Sequence, residues 1–186
     1  MDLHQVDERR SAVRHARKTF KHACIRIGDR ECPAFLRDLS HHGAGLEVAQ
    51  SVTIGQTIDY RWDDEAFRSG KVIWMQSNRI GLENIALENA LSPRGKAYRS
   101  VRIKAEAPVS IFSNGSKFEG ELQNFAQRGL CIVSSAPIMR GALATIQIGK
   151  RQFEQVTAKW CKGNKLGFAL PSPLSLTEMS NLVEGR

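Results

Sequence analysis

The feature that most constrains this chain is a repeat of itself. The segment from Asp38 reads DLSHHGAGLEV and the segment from Asn124 reads NFAQRGLCIVS, 86 positions further on (124 − 38 = 86). The same offset carries Gly43 to Gly129, Gly55 to Gly141, Trp74 to Trp160 and Gly81 to Gly167. It also sets Arg79-Ile80-Gly81-Leu82 on Lys165-Leu166-Gly167-Phe168. With 15 Gly and 3 Trp in 186 residues, matches so rigidly spaced indicate duplication. Each copy then has roughly 90 residues, enough for one small domain with modest burial per residue. The boundary is expected near Ser92-Pro93-Arg94-Gly95, where turn-forming residues separate two apolar runs, giving units 1–92 and 93–186.

Within each copy the pattern is mostly strand. Apolar runs at Phe20–Ile27 and Cys32–Leu36 flank Gly28-Asp29, and Val109–Phe112 and Phe118–Leu122 flank Ser113-Asn114-Gly115-Ser116. Asn-Gly is a strong hairpin signal because both residues of such a turn need φ > 0. Read this way, the second loop is one residue longer, and the repeat offset is expected to slip upstream of it. Further strands are expected at Gly45–Val48, Thr57–Trp62, Gly70–Met75 and Arg79–Ile85, with partners in the second copy. Trp74, Trp160, Phe20, Phe35 and Phe118 read as inward-facing. Leu174, Leu176, Met179, Leu182 and Val183 have helical spacing, predicting a short terminal helix over one barrel mouth. Short strands with regular turns predict a mainly β chain of closed antiparallel barrels.

Composition narrows the function. No run approaches the roughly 18 apolar residues of a membrane span. The opening MDLHQVDERR lacks the apolar core of a secretory signal, so a cytoplasmic setting is expected. Cys24, Cys32, Cys131 and Cys161 have neither zinc nor staple spacing and read as reduced, buried small residues. The net charge of +8 calls for an anionic partner, be it nucleic acid, acidic lipid or a phosphorylated small molecule. Phosphate-loop, nucleophile-elbow and zinc-protease motifs are absent from the sequence, and no nucleophile–base set recurs, so no enzyme is expected.

Basic residues crowd the segment before the first strand: Arg9, Arg10, Arg14, Arg17, Lys18 and Lys21. Arg9-Arg10-Ser11-Ala12-Val13-Arg14, followed two strands later by Asp38-Leu39-Ser40-His41-His42-Gly43, resembles the paired signature RxxxR…[DN]xSxxG of PilZ domains. The likeness extends to the later VxW and IG(L/F) strands. It implies two tandem six-stranded antiparallel PilZ-like β-barrels with a short C-terminal helix. It also implies the bacterial second messenger cyclic di-GMP as ligand, with a conformational change relayed to an unidentified protein partner in motility, biofilm or exopolysaccharide control.

The residue types suit that ligand. A guanidinium donates a fork of hydrogen bonds to phosphate or to guanine O6 and N7, and stacks on a base. Arg10 and Arg14 lie on a segment with little apolar anchoring, which ligand binding would order. Asp38 can accept from guanine N1–H and N2–H₂, Ser40 can bond a phosphate or base edge, and Gly43 permits close backbone approach. Each has a plainer reading: a solvated basic tail, a turn-capping Asp-x-Ser pair, a turn glycine. Arg9 is an auxiliary contact or surface. His41 and His42 fill variable positions without zinc-like partners, so no metal is expected.

The second copy departs from the signature. Asn124 replaces the aspartate, Ala126 removes the hydroxyl, Arg128 fills a variable position, and Arg94, Arg99 and Arg102 are spaced five and three apart. This copy is expected to be degenerate, acting as structural partner, dimer surface or output face. Two other readings stay open: a basic barrel binding RNA or single-stranded DNA through stacked aromatics, and a ligand-free interaction adaptor. Neither DNA binding nor membrane insertion is expected, and homodimerisation is left open.

Overall fold

The computed structural model describes residues 17–63, 66–85 and 100–184. The expected boundary at 92–95 lies outside the described residues, as do Arg9, Arg10, Arg14, Arg94 and Arg99. Twelve strands and one helix are described: β1 (Arg17–Ile27), β2 (Arg30–Leu39), β3 (Gly43–Val48), β4 (Thr57–Trp62), β5 (Arg68–Gln76), β6 (Arg79–Asn84), β7 (Ile103–Ser113), β8 (Ser116–Ala126), β9 (Gly129–Val133), β10 (Leu143–Ile148), β11 (Arg151–Lys162), β12 (Lys165–Ala169) and α1 (Leu176–Glu184). They form two closed six-stranded antiparallel barrels, ordered β1-β2-β3-β6-β5-β4 and β7-β8-β9-β12-β11-β10. Closure leaves neither sheet with an open edge.

The duplication extends to register. β1 and β2 slip between Lys18 and Lys21, as β7 and β8 do between Lys104 and Ala107. A bulge at Leu36/Asp38 recurs at Leu122/Asn124, and one at Val72/Trp74 recurs at Ala158/Trp160. The expected slip of the offset does not occur. Ile27 pairs with Arg30 and Ser113 with Ser116, so both hairpin turns have two residues, Gly28-Asp29 and Asn114-Gly115. Positive φ at Gly28 (59°), Asn114 (50°) and Gly115 (75°) gives these turns the twist that tight hairpins need.

The bulges decide which side chains face in. In β2, Cys32, Ala34 and Leu36 fill the first core; strict alternation would send residue 38 inward next. The extra residue Arg37 reverses the parity, leaving Asp38 outside and Leu39 against the core. The bulge in β5 does the same to Trp74, and its counterpart in β11 to Trp160. The tryptophans are therefore 40% and 41% exposed, not inward-facing as expected. Each indole lies on a glycine of the neighbouring strand, Trp74 on Gly81 and Trp160 on Gly167; a Cβ there would meet the ring at 1.9 and 2.0 Å. The repeated Trp and Gly are thus one cross-strand pair on the barrel wall. Phe20 is also outside, 60% exposed; Phe35, likewise expected inside its barrel, is buried on the outer wall instead, and Phe118 is partly buried in the second core.

Phe35 and Cys24 sit on the outer wall of the first barrel, yet they join the core cluster of the second. Helix α1 packs against β2 of one barrel and β7 of the other, rather than serving only as a lid on one mouth. Its Met179 and Leu182 are buried in the shared cluster, and Gln50 Nε2 donates to Ser180 Oγ at 3.3 Å. Reciprocal bonds start the helix: Glu178 N–H donates to Ser175 Oγ (3.2 Å) and Ser175 N–H to Glu178 Oε2 (2.6 Å). That backbone bond, chiefly, holds the Glu178 carboxyl below its usual range. Across the seam, Arg61 donates to the Arg102 carbonyl at 2.9 Å. The four cysteines are free; Cys24, Cys32 and Cys131 are buried as expected, whereas Cys161 is exposed.

Candidate ligand-binding site

The turn between β2 and β3 carries the second half of the signature. Ser40 builds it from within: its Oγ accepts from the backbone N–H of Gly43 (3.1 Å) and His42 (3.3 Å), while its own N–H donates to the Gly43 carbonyl (2.9 Å). Gly43 is required by its neighbour on the adjacent strand. A Cβ there would lie 1.8 Å from the Leu82 carbonyl oxygen, so β3 and β6 could not approach as they do. The signature Ser and Gly therefore have structural tasks independent of any ligand. His41 and His42 are exposed on this turn.

Asp38 is different. It pairs across the strands with Gly45, and its carboxylate lies over that glycine, where a Cβ would meet Oδ2 at 2.3 Å. Arg79 NH2 stands 3.9 Å from the same oxygen, with both side chains partly open to solvent. Asp38 thus offers a partly exposed acceptor beside a cation, on a wall with no side chain beneath it.

Next to Asp38 the wall carries a guanidinium and aromatic layer that the sequence reading missed. The bulge residue Arg37 donates through Nε to Glu47 Oε2 at 2.8 Å, and its guanidinium lies over the Phe20 ring at 4.5 Å. Phe20 stacks on Phe35 at 4.9 Å with an interplanar angle of 19°. His22 meets Phe35 edge-on at 4.8 Å. Burial lowers the His22 pKa, opposed by a hydrogen bond with Gln127 of the second barrel. This layer leads from the rim beside Asp38 to the seam between barrels. The sequence reading named Phe20 and Phe35, but as inward-facing, and had no signal for Arg37 or for the layer they form on the wall.

The equivalent place in the second barrel is built differently. Asn124 occupies the position of Asp38, but the residue opposite is Cys131 in place of Gly45, and Lys165 stands where Arg79 does. Because the offset is unbroken, Lys96 and Ser100, not Arg94 and Arg99, correspond to Arg10 and Arg14. No arginine of the second copy falls on either position. The turn at Gln127 and Arg128 is tied to the segment leading into α1, since Leu174 N–H donates to the Gln127 carbonyl at 2.8 Å. Among the described residues, no group of three His, Cys, Asp or Glu is placed to hold a metal.

No curated protein matches the chain. Among solved structures, PlzA of Borreliella burgdorferi in complex with c-di-GMP is 12% identical, with 97% of this chain and 96% of that one covered and a TM-score of 0.38. The Bacillus subtilis inhibitor of motility MotI is 11% identical, with coverages of 88% and 93% and a TM-score of 0.37. YcgR of Escherichia coli in complex with c-di-GMP is 12% identical, with coverages of 95% and 83% and a TM-score of 0.34. The model of the PilZ domain matches residues 8–92, a span that includes both halves of the signature and all six strands of the first barrel. Residues 8–92 of this chain are similar to the PilZ domain family.

Proposed function

We propose that the chain is a non-enzymatic receptor for cyclic di-GMP, with one site at the rim of the first barrel. The observation that carries this reading is the partly exposed Asp38 carboxylate beside Arg79, in a domain whose family match includes Arg10 and Arg14. Asp38 accepts from the N1–H and N2–H₂ edge of guanine. The arginines supply forks to phosphate or to O6 and N7, and a guanidinium plane for stacking. Arg14 is three residues before Arg17 in the sequence, and the backbone of Arg17 pairs with Leu39, next to Asp38. Arg9 is an outlying contact of the same segment. Ser40 and Gly43 hold the turn that presents Asp38.

Phe20 and Phe35 connect this rim to the interface with the second barrel. A nucleotide that draws the arginine segment over the rim would bias how the barrels pack, which is the signal to a protein partner. The two neighbours named above as c-di-GMP complexes bind the same class of ligand. A ligand-free adaptor is the competing reading. Titration calorimetry with cyclic di-GMP on the full chain separates them: saturable binding by wild type and its loss in Arg14→Ala supports the receptor. Full affinity in Arg14→Ala removes Arg14 from the site, and no binding by wild type ends the proposal.

A further inference from the structure

We infer that Gly45, outside the signature, is the positioning residue that makes Asp38 available in the first barrel, and that a side chain at this place is what closes the second. The inference rests on the receptor reading above and adds a determinant to it. Asp38 and Gly45 are direct cross-strand partners immediately after a bulge, and Asn124 and Cys131 are the same partners after the same bulge. One backbone frame therefore appears twice, once without a Cβ and once with one. In the first, the carboxylate folds down across β3, with Oδ2, Cγ and Oδ1 at 2.3, 2.6 and 2.6 Å from where a Cβ would be. No atom could be added there while Asp38 keeps its place.

The obstruction falls on the end of a rotatable side chain, not on backbone. Substitution at Gly45 would displace the carboxylate and leave the barrel intact. Gly45 is not among the positive-φ residues, so alanine meets no backbone penalty. In the second barrel the side chain of Cys131 stands at that place and engages Asn124 itself, with Sγ also 3.7 Å from Gln123 Oε1. A carboxylate pushed off β3 also leaves the line to Arg79, so both the acceptor's direction and its neighbouring charge change together.

The test is calorimetry with cyclic di-GMP on the full chain as wild type, Gly45→Ala, Asp38→Ala and the double variant, with thermal melts as a folding control. Gly45→Ala is expected to bind about tenfold or more weakly, the effect of misdirecting one charge-assisted bond, with a melting temperature no lower than wild type. In the Asp38→Ala background the same substitution is expected to change affinity less than about twofold, because a residue acting through Asp38 has nothing left to position. Equal loss in both backgrounds would show a role independent of Asp38 and overturn the inference, as would undiminished binding by Gly45→Ala. Failure of wild type to bind removes the receptor reading, and the inference with it.

Discussion

The two barrels share strand order, hairpin turns and three bulges, and differ in what they place on the outer wall. The first leaves Asp38 over a bare glycine at an exposed rim. The second sets Asn124 against Cys131 and ties its equivalent turn to the chain leading into α1. On β2, Phe35 is buried against the other barrel; its counterpart 86 positions on is Glu121, which is exposed. The duplicated frame is what holds each barrel together, and the unmatched positions divide the labour: one copy keeps a rim, the other becomes a docking platform.

The largest effect should come from breaking that division at Phe35. Removing a buried Phe typically costs about 3–5 kcal/mol, and here the loss falls on the seam. Phe35→Ala is expected to lower the melting temperature strongly and to split one calorimetric transition into two. Glu121→Ala, at the matched position, should stay within about 0.5 kcal/mol of wild type. A single unsplit transition in Phe35→Ala would mean that the barrels cohere without this contact.

Next in size is a glycine that both copies keep for the same reason but unequal need. A Cβ would lie 1.8 Å from the Leu82 carbonyl at Gly43, and 3.0 Å from the Phe168 carbonyl at Gly129. Backbone oxygens cannot swing aside. Overpacking costs about 1–3 kcal/mol, so Gly43→Ala should fall at the top of that range and Gly129→Ala at the bottom. Urea melts of the two variants measure it; equal costs would mean that β3 and β9 adjust alike.

The ligand separates the copies more directly. Asp38→Ala should weaken cyclic di-GMP by about 1.5–3 kcal/mol, the worth of a hydrogen bond to a charged group, while Asn124→Ala leaves affinity unchanged. Calorimetry with stoichiometry decides: a second site lost in Asn124→Ala would show that both barrels bind.

Much of this was legible in the residues. The repeat, the strand count, the Asn-Gly hairpin and the terminal helix follow from spacing and turn chemistry. The signature Asp, Ser and Gly fall at the end of β2, on the turn after it and at the start of β3. What the residues did not show is parity. A bulge adds one residue to a strand and reverses which side every later side chain faces, and no residue type announces it. Trp74 and Trp160 therefore read as core, and Arg37 beside Asp38 went unnoticed as a wall residue. Gly45 read only as the start of a strand because its reason lies across the strand pair. The apparent extra residue in the second hairpin came from counting Ser113 and Ser116 as loop when they are the closing pair.

The smallest expected effect sharpens the comparison at His22, whose counterpart is the exposed Pro108. His22 is edge-on to Phe35 and bonded with Gln127, and burial lowers its pKa below 6.5. The folded chain therefore holds this proton less readily than the unfolded chain. Stability from His22 is present above the unfolded value and is lost as pH falls through that value toward the lowered folded one. Melting curves between about pH 7.5 and 5.5 should show wild type losing slightly more stability than His22→Gln, which has no proton to gain in that window. The exposed His41 and His42 are present in both proteins and cancel. Parallel curves would mean that His22 titrates alike folded and unfolded, and that the seam around Phe35 is open enough to solvate an imidazolium.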